Sequence, residues 1–365
     1  MAMSMFLGIV VGTLPGLSAT IGIALLTGIT YSFHSTTAMI MMIGLYIGAI
    51  YAGSLSAILI NIPGTGSAAA TCLDGHPLAR KGMASDAIMV ARTASFIGSF
   101  IGVLCFVLFT PLIRRIALSF TSAEYFWLSI FGVLICGSLS ARELPVKGWI
   151  AGFVGIMVSF VGMDEIHNYE RFTFDIINLV TGIPWVPLMI GTFGVPQIIK
   201  LIKSARDFEV IKTSKVKLKI FPVIKRNLFG IFRWAVIGTG IGALPGVGEN
   251  IAAWVAYGEA KSRSKEPEKW GTGVIEGVMA PEVANNTAVA GALIPLLTLG
   301  VPGSPPTAIL LGALRLHGLR PGPMLAFDDP TFIFKMGAWL FWGTIMLFLI
   351  GLLTAKPMSQ IMKVP

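Results

Sequence analysis

"YAGSLSAILINIPGTGSAAATCLDGHPLARKG", residues 51–82, begins like a membrane helix and then breaks. Tyr51 to Ile60 is apolar or small. Asn61-Ile62-Pro63-Gly64-Thr65-Gly66-Ser67 then gathers helix breakers and small hydroxyl residues, and no charge appears until Asp74. Proline removes a backbone donor and clashes inside a helix, while glycine admits turns that other residues resist. A lipid-facing segment tolerates such a peptide least, because its freed backbone groups find no water.

The rest of the chain makes a bilayer the solvent around that break. Of 365 residues, 55% are hydrophobic and 12% charged, with a mean hydropathy of +0.80. A soluble protein carries about 25% charged residues. No Asp, Glu, Lys or Arg precedes Asp74, and uncharged runs recur at 93–113, 176–199, 283–314 and 336–355. A spanning helix needs about 20 such residues. The alternating segments of about ten residues that mark a β-barrel are missing. The expected fold class is an all-α polytopic membrane protein. Met1 to Leu14 lacks a basic start and a small-residue cleavage site, so it is expected to be a first membrane segment with its beginning missing, not a signal peptide.

Few residues suggest covalent or metal chemistry. Cys72, Cys105 and Cys136 lie in or beside apolar runs without C-x-x-C spacing and are expected to be small core residues. His34, His76, His167 and His317 are widely separated, so no transition-metal site is expected. Hydrolase, zinc-protease and Walker signatures are absent, and "GTGIG" (238–242) lacks the strand and helix of a dinucleotide site. The chain is therefore expected not to be an enzyme and to use no cofactor. Without an ATP motif, any transport must draw on an ion gradient.

The net charge of +9 is concentrated, with nine of 27 basic residues at positions 200–227, between apolar blocks. Cytoplasmic loops of membrane proteins carry such an excess, which makes nucleic acid an unneeded partner. Contact with anionic lipid headgroups is compatible with it. With 200–227 inside, the acid-rich stretch 164–175 falls outside, and Arg114 and Arg115 fall outside against the rule. Residues 228–257 have basic flanks on both sides and Leu244-Pro245-Gly246 in the middle. They read as a re-entrant hairpin with "GALPGVGEN" at its tip, or as a bent full crossing.

The chain repeats this plan. "GTLPGL" (12–17) recurs as "GALPGV" (242–247), and "NIPGTGS" (61–67) recurs as "GVPGSPP" (300–306), with nearly the same shift along the chain. Five crossings between the hairpins make the two repeats inverted in topology. The first repeat spans 1–199, with hairpin 1–31, broken helix 36–73 and further helices over 93–199. A basic linker follows at 200–227. The second repeat spans 228–365, with hairpin 228–257, broken helix 274–318 and helix 331–355, and is expected to be incomplete at its C-terminal end.

Paired breaks in inverted halves point to a transporter's binding site. A half-helix starting at mid-depth aims free N–H groups and a positive dipole end at an anion, and one ending there offers carbonyls to a cation. Substrate-binding candidates are Asn61, Pro63, Gly64, Thr65, Gly66, Ser67 and Thr71 in the first break, with Pro302, Gly303, Ser304 and Thr307 in the second. Pro305 and Pro306 suit a first helical turn. Cation-binding or hairpin-tip candidates are Pro15, Gly16, Pro245, Gly246, Glu282, Asn285, Asn286, Thr287, Leu299 and Gly300. Glu282 in "APEVANN" (280–286) adjoins the uncharged run 283–314. It is a functional carboxylate or a loop residue ahead of a helix. Glu249 and Arg233 are functional groups or a paired structural charge. Gly44/Gly48, Gly98/Gly102 and Gly238/Gly242 have the spacing of close helix packing.

These motifs, with "GALPGVGENIAAWVAY" (242–257), "GVMAPEVANNTAVAGALIPLLTLGVPGSPP" (277–306) and "GALRLHGLRPGP" (312–323), resemble the large membrane subunit of the tripartite tricarboxylate transporters over nearly the whole chain. The resemblance implies a bacterial inner-membrane secondary importer of citrate or other carboxylates, coupled to Na⁺ or H⁺. It implies two partners, a periplasmic solute-binding protein and a small four-helix membrane subunit. It also implies that Pro15, Gly16, Asn61 to Ser67, Pro245, Gly246, Asn285, Asn286 and Pro302 to Ser304 line the site, and that the family's chains extend beyond both ends of this one. A passive channel or an exporter for organic anions is the alternative.

Overall fold

In the computed structural model the two broken peptides sit at matching places in two matching sets of helices. The structure describes residues 1–121 apart from Pro15, most positions of 123–134, residues 144–164 and 169–183, isolated positions between 187 and 199, Val216, and residues 218–361. The chain opens with α1 (Ala2–Thr13) and α2 (Ala19–Thr30), followed by the long α3 (Ser35–Ile60). After the first break the helix resumes as a 3-10 turn (Gly66–Ala68) and α4 (Ala69–Leu78). It passes through a π-helical turn kinked at Gly82 and continues as α5 (Ala84–Ala117). α6 (Pro145–Ser159) and a small antiparallel pairing of Gly162–Met163 with Glu170–Arg171 follow. The second set is α7 (Ile220–Gly242), α8 (Gly248–Ser262), α9 (Ile275–Leu299) and α10 (Pro305–Leu316), after which comes α11 (Phe332–Ile361).

Local chemistry explains where these helices stop. α3 ends on Asn61 in the left-handed region (φ 58°), and α9 ends on Gly300 in the same conformation (φ 72°). Both are residue types that adopt it at low cost. The proline two residues later prevents the helix from resuming at once. Ser18 caps α2, its hydroxyl accepting from the Ile21 N–H, and Ser304 caps α10. The turns between the helical pairs pass through Gly16 (φ 89°) and Gly246 (φ 72°).

Among the described residues, three helical runs are long and apolar enough to cross a membrane: Ser35–Ile60, Gly66–Ala117 and Phe332–Thr354. α3 and α9 are buried along almost their whole length, so they form the centre. The outer helices expose large apolar side chains, such as Leu104, Leu108 and Leu112 on α5 and Phe334, Phe341 and Leu349 on α11. Buried polar residues and an apolar exterior suit lipid as solvent.

Glycines bring the central helices together, and they do so twice. A β-carbon at Gly8 would strike the Leu45 carbonyl oxygen, and one at Gly12 that of Ala49. At Gly238 and Gly242 the obstacles are the carbonyl oxygens of Ala284 and Ala288. Gly8 thus corresponds to Gly238 and Leu45 to Ala284, by the same shifts that relate the two motif pairs, so the α1–α3 contact recurs as α7–α9. Gly98 and Gly102 likewise leave room for the backbone of Val283 and Thr287. Packing is the role of the small-residue spacings. Gly8→Ala and Gly238→Ala should each destabilise by about 1–3 kcal/mol through overpacking. Gly240→Ala meets no atom within 4 Å and should be neutral or stabilising by up to about 1 kcal/mol. Thermal unfolding in detergent checks this, and equal midpoints for all three would remove the close-approach explanation.

Two boundaries differ from the sequence expectation. Helix α7 begins at Ile220, inside the stretch assigned to the basic linker, because the apolar residues of "IFPVIKRNL" let Lys225 and Arg226 sit on an outer face. Helix α5 begins at Ala84 rather than near residue 93, continuous with the π-helical turn. Residues 200–215 of the linker, and much of 123–141 and 176–199, lie outside the described residues.

Candidate functional site

The tip between α7 and α8 touches both breaks. Gly246 N–H donates to the Pro302 carbonyl at 3.2 Å. A β-carbon at Gly248 would lie 2.6 Å from Ser304 Cβ, and one at Gly66 would lie 2.9 Å from the Asn250 side chain. Residues 248 and 250 therefore face the second and the first break respectively, with Glu249 between them. Glu249 is 2% exposed, and its Oε1 has no hydrogen-bond partner. Each break also rests on its own helical pair: Gly64 against Gly12, with its N–H donating to Gly53 O at 3.3 Å, and Gly303 against Gly242 and Ala292. Tyr46 on α3 crosses to the second break, its hydroxyl 3.0 Å from Ser304 Oγ.

The hydroxyls predicted for the site are buried and largely engaged. Thr65 and Ser67 share a hydrogen bond of 3.0 Å. Ser304 and Thr307 form a capping box: Ser304 N–H donates to Thr307 Oγ1 at 2.8 Å, and Ser304 Oγ accepts from Thr307 N–H. Pro305 and Pro306 occupy the first turn, where a missing N–H costs little. These hydroxyls thus close their own turns in this conformation. Pro63 and Pro302 contribute backbone shape at the two breaks, and Pro245 does so at the tip.

A second polar group gathers around Glu282. The residue lies inside α9, fully buried, and not in a loop ahead of a helix. Thr71 Oγ1 donates to its Oε1 at 2.6 Å, and Ser95 Oγ donates to its Oε2 at 3.0 Å. No ion pair reaches this carboxylate among the described residues. Asn286 Nδ2 donates to Asn285 Oδ1 at 2.5 Å and to Glu282 O at 3.0 Å. Asn285 Nδ2 and Asn286 Oδ1, both buried, have no partner. Burying a polar atom without a partner costs about 1–3 kcal/mol, so these two atoms and Glu249 Oε1 mark where a ligand would be stabilising.

Other candidates fall elsewhere. Thr287 Oγ1 donates to Val283 O at 2.6 Å and to Gly98 O at 3.1 Å, which is helix packing. Leu299 and Gly300 stand at the far end of α9, about 20 Å along the helix from Asn286, beside the Pro321–Gly322 loop. They do not join the asparagine pair. Gly16 forms the α1–α2 turn, and Pro15 lies outside the described residues. Arg233 is paired with Glu259 at 3.1 Å and is a structural charge. No group of three or more His, Cys, Asp or Glu residues suited to a metal ion occurs among the described residues.

Sequence reading passed over Tyr46, Ser95 and Asn250. Asn250 stood inside the quoted tip "GALPGVGEN" and was legible there. Tyr46 and Ser95 lie in ordinary apolar helices and carry no local signal. Asp74 was also missed. Its Oδ1 accepts from the backbone N–H groups of Gly271, Gly273 and Val274 at 2.9, 2.8 and 2.8 Å, and its Oδ2 accepts from Tyr257 Oη at 2.9 Å. It anchors the start of α9.

The family model described as "Tripartite tricarboxylate transporter TctA family" matches residues 1–365. A protein of Agrobacterium vitis, described as "Uncharacterized 52.8 kDa protein in TAR-I ttuC' 3'region", is 40% identical over 347 residues, covering 94% of this chain and 67% of the relative. A second, "Uncharacterized protein in TAR-II ttuC' 3'region" of the same organism, is 43% identical over 114 residues, covering 31% of this chain and 44% of the relative. The chain thus spans about two thirds of the first relative's length. No solved structure matches it. With the family match running from the first residue to the last, the chain belongs to the tripartite tricarboxylate transporter TctA family.

Proposed function

We propose that this chain forms the substrate pathway of a secondary carboxylate importer, as the large subunit of a three-component system in a bacterial inner membrane. A citrate-like anion would bind between the two breaks, its carboxylates facing the N-terminal ends of the segments that restart at Gly66 and Pro305. A periplasmic solute-binding protein delivers the anion, a small four-helix membrane subunit completes the complex, and a Na⁺ or H⁺ gradient drives uptake. The helical pairs α1–α2 and α7–α8 act as re-entrant hairpins of two inverted repeats. Alternating access moves them against the remaining helices.

The observation that carries this reading is the α7–α8 tip, which touches Ser304 with one residue and Gly66 with another. Two helix starts from opposite halves of the sequence converge there, and helix starts favour anions. The burial of Thr65, Ser67, Ser304 and Thr307 favours a carrier that must open over a continuously open pore.

Uptake of labelled citrate into proteoliposomes holding all three components tests the reading. Uptake should saturate, show counterflow and require an imposed Na⁺ or H⁺ gradient. Unsaturable flux, or uptake unaffected by collapsing both gradients, would overturn it. Ser67→Ala and Ser304→Ala should each raise KM about two- to tenfold, from the loss of one hydroxyl hydrogen bond of about 0.5–1.5 kcal/mol. Thermal midpoints of the same variants separate this from the lost cap at Ser304, which costs about 1 kcal/mol of stability.

A further inference from the structure

A cleft of about 610 Å³ opens beside the first break, lined in part by Asn61, Cys72, Leu73, His76, Arg80 and Lys81. Its charge is one-sided. Arg80 and Lys81 are exposed on the π-helical turn, and neither has an ion-pair partner among the described residues. The acids nearby in sequence are engaged elsewhere. Asp74 spends both oxygens on backbone N–H groups and Tyr257, and Asp86 accepts from the Leu218 N–H at 2.8 Å. His76 Nδ1 lies 3.2 Å from the Ile58 carbonyl. A carbonyl only accepts, so Nδ1 carries the hydrogen there. Asn61, at the end of α3, is exposed and also lines the cleft.

Unpaired cations in a concave site raise the local concentration of anions. Guanidinium and ammonium groups both bind carboxylates, the first with a bidentate fork. We propose that this cleft is an anion vestibule to the first break, in which a small polycarboxylate pairs with Arg80 and Lys81 next to Asn61. The assignment of the polycarboxylate rests on the transport reading above. The positive potential of the cleft does not.

The test uses Leu73→Cys in full-length protein whose three native cysteines are replaced by alanine. Leu73 is 38% exposed and lines the same cleft. Its modification rate is measured with an anionic sulfonatoethyl and a cationic trimethylammonioethyl methanethiosulfonate. Both reagents attack the same thiolate, so their ratio reads the local potential. Adding Arg80→Gln and Lys81→Gln should lower the anionic-to-cationic ratio about five- to tenfold at low salt, with a smaller change at high salt. An unchanged ratio, or no reaction with either reagent, overturns the vestibule.

Ligand identity is read by protection. Citrate should slow the anionic reagent in nanodiscs of neutral lipid, and should lose that effect in the Arg80→Gln/Lys81→Gln variant. Protection by anionic lipid alone would assign the cleft to phospholipid headgroups and overturn the polycarboxylate. Since no transport is measured, failure of the uptake assay and failure of this proposal are separate results.

Discussion

Asp74→Ala should destabilise the protein by at least about 3 kcal/mol, while Asp74→Asn loses less. One carboxylate oxygen accepts three backbone N–H groups, and the other accepts the Tyr257 hydroxyl. Hydrogen bonds to a charged group contribute about 1.5–3 kcal/mol each, and the three backbone donors here are part-buried. Alanine would orphan three donors at the entry to α9, the helix that packs against α5, α7 and α8. Asparagine keeps one acceptor oxygen for the N–H cluster but loses the charge. The half-life of thermal inactivation in detergent ranks the three proteins. A ranking in which asparagine is as damaging as alanine would shift the explanation from the N–H cluster to the charge itself. An alanine variant as stable as wild type would remove the anchoring role.

Glu282→Gln should remove most of the gradient-driven uptake and leave the protein folded. The carboxylate is fully buried, and hydroxyls are its donors: Thr71 on the helix restarted after the first break and Ser95 on α5. An ionised carboxylate in such a place demands a cation or a proton. Glutamine keeps the shape and one acceptor oxygen but takes up no proton and lacks the negative charge that attracts a cation. The residual uptake of the variant should no longer respond to the imposed gradient, and citrate counterflow should persist. Uptake that keeps the wild-type gradient dependence would exclude Glu282 as the coupling group. The two predictions separate by readout, since Asp74 moves stability and Glu282 moves coupling.

Much of the fold was legible because its causes are local. Hydropathy marks the long helices, and Pro63 and Pro302 mark breaks that any backbone would feel. The shifts that relate "GTLPGL" to "GALPGV" and "NIPGTGS" to "GVPGSPP" carried over from motif to contact, because a glycine that admits a neighbouring backbone must recur wherever that packing recurs. The candidate site was legible only as two breaks in the backbone. The stretches "NIPGTGS" and "GVPGSPP" were found, but Ser304 and Thr307 prove to cap their own helix, and Leu299 and Gly300 stand far from the asparagine pair. A hydroxyl in a sequence does not reveal whether its hydrogen bond is spent on the turn or left for a ligand.

Sequence alone marked the apolar helices and the two breaks, since each follows from neighbouring residues and their backbone preferences. Tertiary structure alone decided which distant groups meet. Tyr46 reaches Ser304 across 258 residues, and Thr71 reaches Glu282 across 211. Asp74 is recruited as an anchor because the loop before α9 folds onto it. Such pairings depend on where whole helices pack, and helix packing is set by the summed shape of many side chains. No single segment carries that information, so it became visible only when the two sets of helices closed around the tip at 248–250.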